Sequence, residues 1–220
     1  MGLTGLFLCL FLAIHLAGNF LLYVGDGRAY NEYAHKLHAN PNLLLMAEIP
    51  LYLAIVIHLY LAFTTSRDNV NARGPVGYKE KRTKIYNRIL GIQPESMMFF
   101  TGAVVLIFMA IHIYDFKSRD EDVYEPYQWA VLILSSMTTK IVYVVGCLFL
   151  GVHVSHGFRS AFQSLGLNHP KYNKLIDRAS IAFALIVAIG FASFPIAFGY
   201  GTSKKDAESP PAATSEPAAR

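Results

Sequence analysis

Charge is what this chain lacks first. Only 15% of its 220 residues are Asp, Glu, Lys or Arg, whereas ordinary soluble domains carry about a quarter, and 54% are hydrophobic with a mean hydropathy of +0.36. Cysteine is scarce as well. Cys9 and Cys147 are the only two, they lie in apolar stretches, and neither belongs to a CxxC or CxxCH pattern. That argues against the cysteine sets of zinc sites, iron–sulfur clusters and covalently attached haem. No polar stretch is long enough for a soluble catalytic domain. Five spans of about 20 residues each, with their loops, use nearly the whole chain. The composition is that of an integral membrane protein.

What is present is a succession of apolar runs, and the fold class expected is an all-α membrane bundle of five transmembrane helices over residues 1–200. The runs are Leu3–Val24, Leu43–Ser66, Glu95–Phe116, Met137–Phe158 and Ile176–Tyr200. The first lacks the pattern of a cleaved signal peptide and is read as structure. Gly25–Asn42 reads as a short polar loop, and Trp129–Ser136 as an interfacial piece or an extension of the fourth span. The Pro-, Ala- and Ser-rich tail from Gly201 reads as disordered. The connection Arg67–Pro94 carries Arg67, Arg73, Lys79, Lys81, Arg82, Lys84 and Arg88 against Asp68 and Glu80. The connection after the fourth span is basic again, with Arg159, Lys171, Lys174 and Arg178, whereas the first and third are not. Basic loops face the cytoplasm, so the N-terminus is expected inside and the tail outside.

An imidazole in hydrocarbon is costly without a partner, so an intramembrane histidine marks a functional site. Four successive spans each carry one: His15, His58, His112 and His153, the last with His156 close by. A lone histidine bonded to a neighbouring helix is an ordinary core feature; one on each of four spans asks for more. At a rise of about 1.5 Å per residue, His15 lies roughly 18 Å and His112 roughly 25 Å from the inner ends of their spans. His58 lies about 12 Å and His153 about 8 Å from theirs. The four sort into an outer pair, His15 with His112, and an inner pair, His58 with His153. Helices in a bundle can supply imidazoles above and below a haem from facing positions, so two b haems stacked across the membrane are expected rather than one four-histidine metal cluster. Gly18 and Gly157 share a helix face with His15 and His153, and Gly102 lies about three turns before His112 on the same face. Each offers room for a flat macrocycle, or is an ordinary membrane helix-packing glycine.

HLAGN at His15, Thr101-Gly102 followed by FMAIH ending at His112, and HVSHGFRSAFQSLG from His153 resemble a known family. It is the di-haem cytochrome b anchor of succinate dehydrogenases and fumarate reductases, of the single-anchor five-helix type, and the resemblance runs over nearly all of residues 3–200. It implies that His15 and His112 ligate the outer haem iron and that His58 and His153 ligate the inner one, His153 being chosen over His156 by its distance from Gly157. It also implies a flavoprotein subunit with covalent FAD and an iron–sulfur subunit, both docked on the cytoplasmic face of a bacterial inner membrane. Electrons would pass through the haems to a membrane quinone, most often menaquinone, or in reverse; nucleic acid is not an expected partner. Two departures stand out. Met1 is almost at the start of the first span, where family members usually have a polar basic stretch. Gly151 stands where some members carry a glutamate for transmembrane proton transfer.

Other residues carry weaker expectations. Glu32 aligns with a family glutamate that takes quinol protons and is the candidate catalytic residue, though a solvated loop acid reads the same way. Glu48 is an acid at a helix end, and could join a network with the outer haem. Arg159 is placed to pair with an inner-haem propionate, or is a positive-inside anchor. The rival readings are a di-haem cytochrome b of a hydrogenase or formate dehydrogenase, against which the fifth span counts, and a metal or proton transporter. A transporter predicts acids near the ligands and broken helices at the midplane.

Overall fold

A computed structural model describes residues 1–73, 94–119, 123–167 and 169–198. The described residues form seven α-helices: α1 Gly2–Asn19, extended by a 3-10 turn at Phe20–Tyr23; α2 Arg28–His38; α3 Pro41–Arg73; α4 Pro94–Lys117; α5 Pro126–Ser135; α6 Met137–Ser164; and α7 Pro170–Phe198. The described residues contain no strand. Proline opens four of the helices, where its fixed φ suits the first turn and its missing N–H costs nothing. Five segments are long and apolar enough to cross a membrane: Gly2–Tyr23, Pro41–Ala72, Met97–Lys117, Met137–Ser164 and Pro170–Phe198. The chain is an all-α bundle of multi-pass membrane type.

The boundaries differ from the sequence reading in instructive ways. Gly25–Asn42 is not simply a loop, since it contains α2. Gly27, at φ 86°, starts this helix from the left-handed region that a side chain would resist. Trp129 belongs to a separate helix, α5, and Ser136 ends it by adopting an extended backbone (φ −66°, ψ 132°) before α6 begins. The second span continues without a break to Arg73, so Arg67 and Arg73 ride on a helix. At 33 residues, α3 is about 50 Å long, well beyond an apolar layer of about 30 Å. The fourth and fifth spans likewise extend to Ser164 and back to Pro170. Residues 74–93 of the basic connection and the tail from Gly201 lie outside the described residues.

The core of the bundle is α6. It packs against α7 on one side and α4 on another, and against α1, which in turn holds α3. Small residues make the closest approach: Gly151 faces Ala188 and Ala184 of α7, and a Cβ added there would lie 2.7 Å from the Ala188 Cβ. Ser180 of α7 donates a hydrogen bond to the Ser155 carbonyl of α6. The ends of the bundle are distinct. At the N-terminal end Gly2 abuts Ala161 and Ser164, close to the α6–α7 turn. At the opposite end α2 and α5 pack together, with Asn31 Oδ1 accepting the Tyr127 N–H at 2.8 Å and His35 meeting Glu125 at 2.8 Å.

Candidate functional site

The two helix pairs on the diagonals of this bundle, α1 with α4 and α3 with α6, do not pack closely together. Histidines face each other across those diagonals. His15 of α1 and His112 of α4 have ring centres 5.9 Å apart with planes at 80°; His58 of α3 and His153 of α6 are 6.4 Å apart at 71°. All four are half-buried. Two imidazoles bonded to opposite sides of one metal ion at about 2.0–2.1 Å have ring centres about 6.3 Å apart. Both spacings are close to that value. Among the described residues no three His, Cys, Asp or Glu side chains converge on one point, so an ion held here would need its remaining ligands from elsewhere. The nitrogens of a macrocycle would supply four of them. The donor set thus fits haem b, with His15 and His112 able to hold one iron and His58 and His153 the other.

The pairs occupy two levels. Along α1, Thr4 touches His58 and His15 belongs to the other pair, and along α4 the same holds for Thr101 and His112. Each step is eleven residues, about 16 Å of helix. The His15–His112 level lies toward the α2–α5 end and the His58–His153 level toward the N-terminal end.

Their surroundings differ. The first level is packed by rings: Phe11 and Phe191 lie 5.3 and 5.6 Å from His15, and Phe116 and Tyr143 lie 5.0 and 5.8 Å from His112. The Asn19 amide donates to the His15 carbonyl at 2.8 Å and lies 3.4 Å from both nitrogens of the His15 ring. The second level is held by hydroxyls: Thr4 Oγ1 lies 3.2 Å from His58 Nδ1, and Thr101 Oγ1 lies 3.2 Å from His153 Nδ1. Gly5 and Gly102 sit beside the same rings; an added Cβ would be 3.7 Å from His58 Cε1 at Gly5 and 3.2 Å from His153 Cε1 at Gly102.

The other expected residues fall as follows. Gly102 adjoins His153, on the other level from His112 of its own helix. Gly18 is filled by Tyr33 of α2, whose hydroxyl would lie 2.8 Å from an added Cβ, whereas Gly157 faces open space. The ring paired with His58 is His153, not His156. Arg159 has a carboxylate of its own, Asp177 of α7 at 2.7 Å. Glu48 meets Lys117 at 3.0 Å, tying α3 to α4. Glu32 is exposed on α2 and paired with Lys36 at 2.6 Å; that bond holds its carboxyl below the usual carboxylate range. An apolar cavity of about 460 Å³ between α6, α7 and Tyr23 is a surface groove and touches none of the four histidines.

Neither Thr4, Gly5 nor Thr101 stands out by helix periodicity or hydropathy. A signal for them exists. Residues 1–15 and 98–112 repeat one pattern, Met-x-x-Thr-Gly with the histidine ten residues after the glycine, and Phe-x-Ala-Ile-His at the end of both. Helices α1 and α4 are thus two versions of one element, each giving a histidine to one level and a Thr-Gly to the other.

The fold and these contacts define an all-α membrane-type bundle with two transverse imidazole pairs at different depths. No family model, curated protein or solved structure matches the chain, so this geometry and the sequence resemblance are what a functional reading rests on.

Proposed function

We propose that the chain is the membrane-anchor cytochrome b subunit of a succinate:quinone oxidoreductase in a bacterial cytoplasmic membrane. The observation that carries this reading is the pair of facing imidazole couples, His15–His112 and His58–His153, at 5.9 and 6.4 Å. Bound haem b supplies one-electron redox chemistry. The residues of the chain would provide position: two imidazole nitrogens to hold each iron, carried on helix pairs that do not pack closely on one another. By the charge of the connections the N-terminal end faces the cytoplasm. The α3 extension with Arg67 and Arg73 projects there, toward an iron–sulfur subunit and its flavoprotein with FAD. Quinone, of the menaquinone class, exchanges at the α2–α5 end, where Glu32 is the candidate proton acceptor and the His15–His112 level is nearest.

The test is direct. The full chain purified from its membrane should show b-type bands in a reduced-minus-oxidised spectrum, with two haems per chain. A chain without such bands would sink the reading.

A further inference from the structure

We propose that the Thr4 and Thr101 hydroxyls are a matched pair of positioning groups that hold His58 and His153 as their Nδ1–H tautomers, leaving each Nε2 bare. The inference rests on reading the His58–His153 pair as haem ligands. A threonine hydroxyl has one proton to donate and lone pairs to accept with. Thr4 Oγ1 lies 2.9 Å from the Met1 carbonyl and 3.2 Å from His58 Nδ1. Thr101 Oγ1 lies 3.2 Å from the Met98 carbonyl and 3.2 Å from His153 Nδ1. A carbonyl can only accept, so one arrangement alone satisfies both contacts: the hydroxyl donates to the carbonyl and the ring Nδ1–H donates to the hydroxyl. Nε2 then carries no proton and is ready to bond a metal.

Three further facts favour the device. It occurs twice, on two helices that repeat Met-x-x-Thr-Gly. Thr101 is 2% exposed, a polar side chain placed where an apolar one would be the cheaper choice. The glycine after each threonine lies beside the ring that the threonine holds. By contrast, on the other level His112 has no hydrogen-bond partner among the described residues and His15 has only the Asn19 amide, 3.4 Å from its ring nitrogens, so aromatic packing does most of the positioning there. Ligating histidines depend on such an outer partner to fix ring orientation and raise the basicity of the bonded nitrogen. A more basic nitrogen favours the oxidised iron, so the hydroxyls hold the reduction midpoint of that haem down.

The experiment uses the full chain in its membrane, with Thr4→Val, Thr101→Val, Thr4→Ser and Thr101→Ser. Thr64→Val is the control, because among the described residues that hydroxyl bonds only the Tyr60 and Leu61 carbonyls. Readouts are haem per chain and a redox titration of both haems. Each of the first two valine variants should raise the midpoint of one and the same haem, leave the other unmoved, and be restored by serine. Loss of that haem in a valine variant with full content in the serine variant supports the assignment equally. Two haems with unmoved midpoints in both valine variants would overturn it, as would a shift that serine fails to reverse. Those outcomes reject the threonines alone; a parent chain without haem would reject the proposed function as well.

Discussion

A histidine placed in hydrocarbon stays only if something there rewards it, and two of the four here are offered hydroxyls while all four are offered each other. If the pairs ligate, removing one imidazole leaves an iron with a single axial bond. His58→Ala and His153→Ala should therefore each abolish one of two haem signals, whereas His156→Ala, outside the facing pair, should keep both; haem-to-chain ratios decide. Glu32 makes a second prediction at this scale. Lys36 keeps its carboxyl charged to lower pH than usual. If charged Glu32 takes quinol protons, turnover persists until pH falls through that depressed value. Lys36→Met removes the stabilising charge, so the acid limb of quinone turnover should move toward neutral pH, while Glu32→Gln should cut turnover and leave both haem spectra intact. A pH profile of quinone turnover that is the same with and without Lys36 would reject the role.

Between helices, the seam of α6 with α7 is made by small residues. Gly151 is buried against Ala184 and Ala188, which gives a steric account of why no glutamate stands at this position: its side chain would have to enter the packed α6–α7 seam. Gly151→Ala should cost about 1–3 kcal/mol through overpacking, and Gly151→Glu more, as a charge without a partner is added. Denaturant unfolding in detergent measures both. The α2–α5 layer depends on a different kind of contact, the Asn31 side chain accepting the first-turn Tyr127 N–H. Asn31→Ala leaves that donor bare and should cost about 1 kcal/mol, loosening the layer without disturbing either imidazole pair.

Across the whole molecule, alternation of five spans puts α2 and α5 on one side and the α6–α7 turn on the other. Basic connections on the cytoplasmic side would put Lys36 outside and Lys174 inside. Lys36→Cys should react with an impermeant thiol reagent added to intact cells, and Lys174→Cys only after the membrane is opened. The reverse pattern would invert the topology and move the proposed subunit-docking face with it.

The architecture was legible in the sequence because a span must satisfy its own backbone and present apolar side chains nearly throughout. Length and hydropathy therefore located five helices, and a helix rise converted histidine positions into the two levels at which the rings stand together. Helix ends were harder to read. Hydropathy stops at Ser66 while the hydrogen-bonded ladder of α3 runs on to Arg73, and an amphipathic helix such as α2 has little hydropathy signal. What only the tertiary structure decided is which side chain meets which. Gly102 shares a face with His112 by periodicity, yet abuts His153, because α6 crosses α4 at that height. Arg159 reads as a propionate partner or a positive-inside anchor, yet finds Asp177 on α7. Thr4 and His58 are 54 residues apart, and no local rule joins them. A hydrogen bond between helices depends on packing angle and rotation, which one-dimensional spacing does not carry.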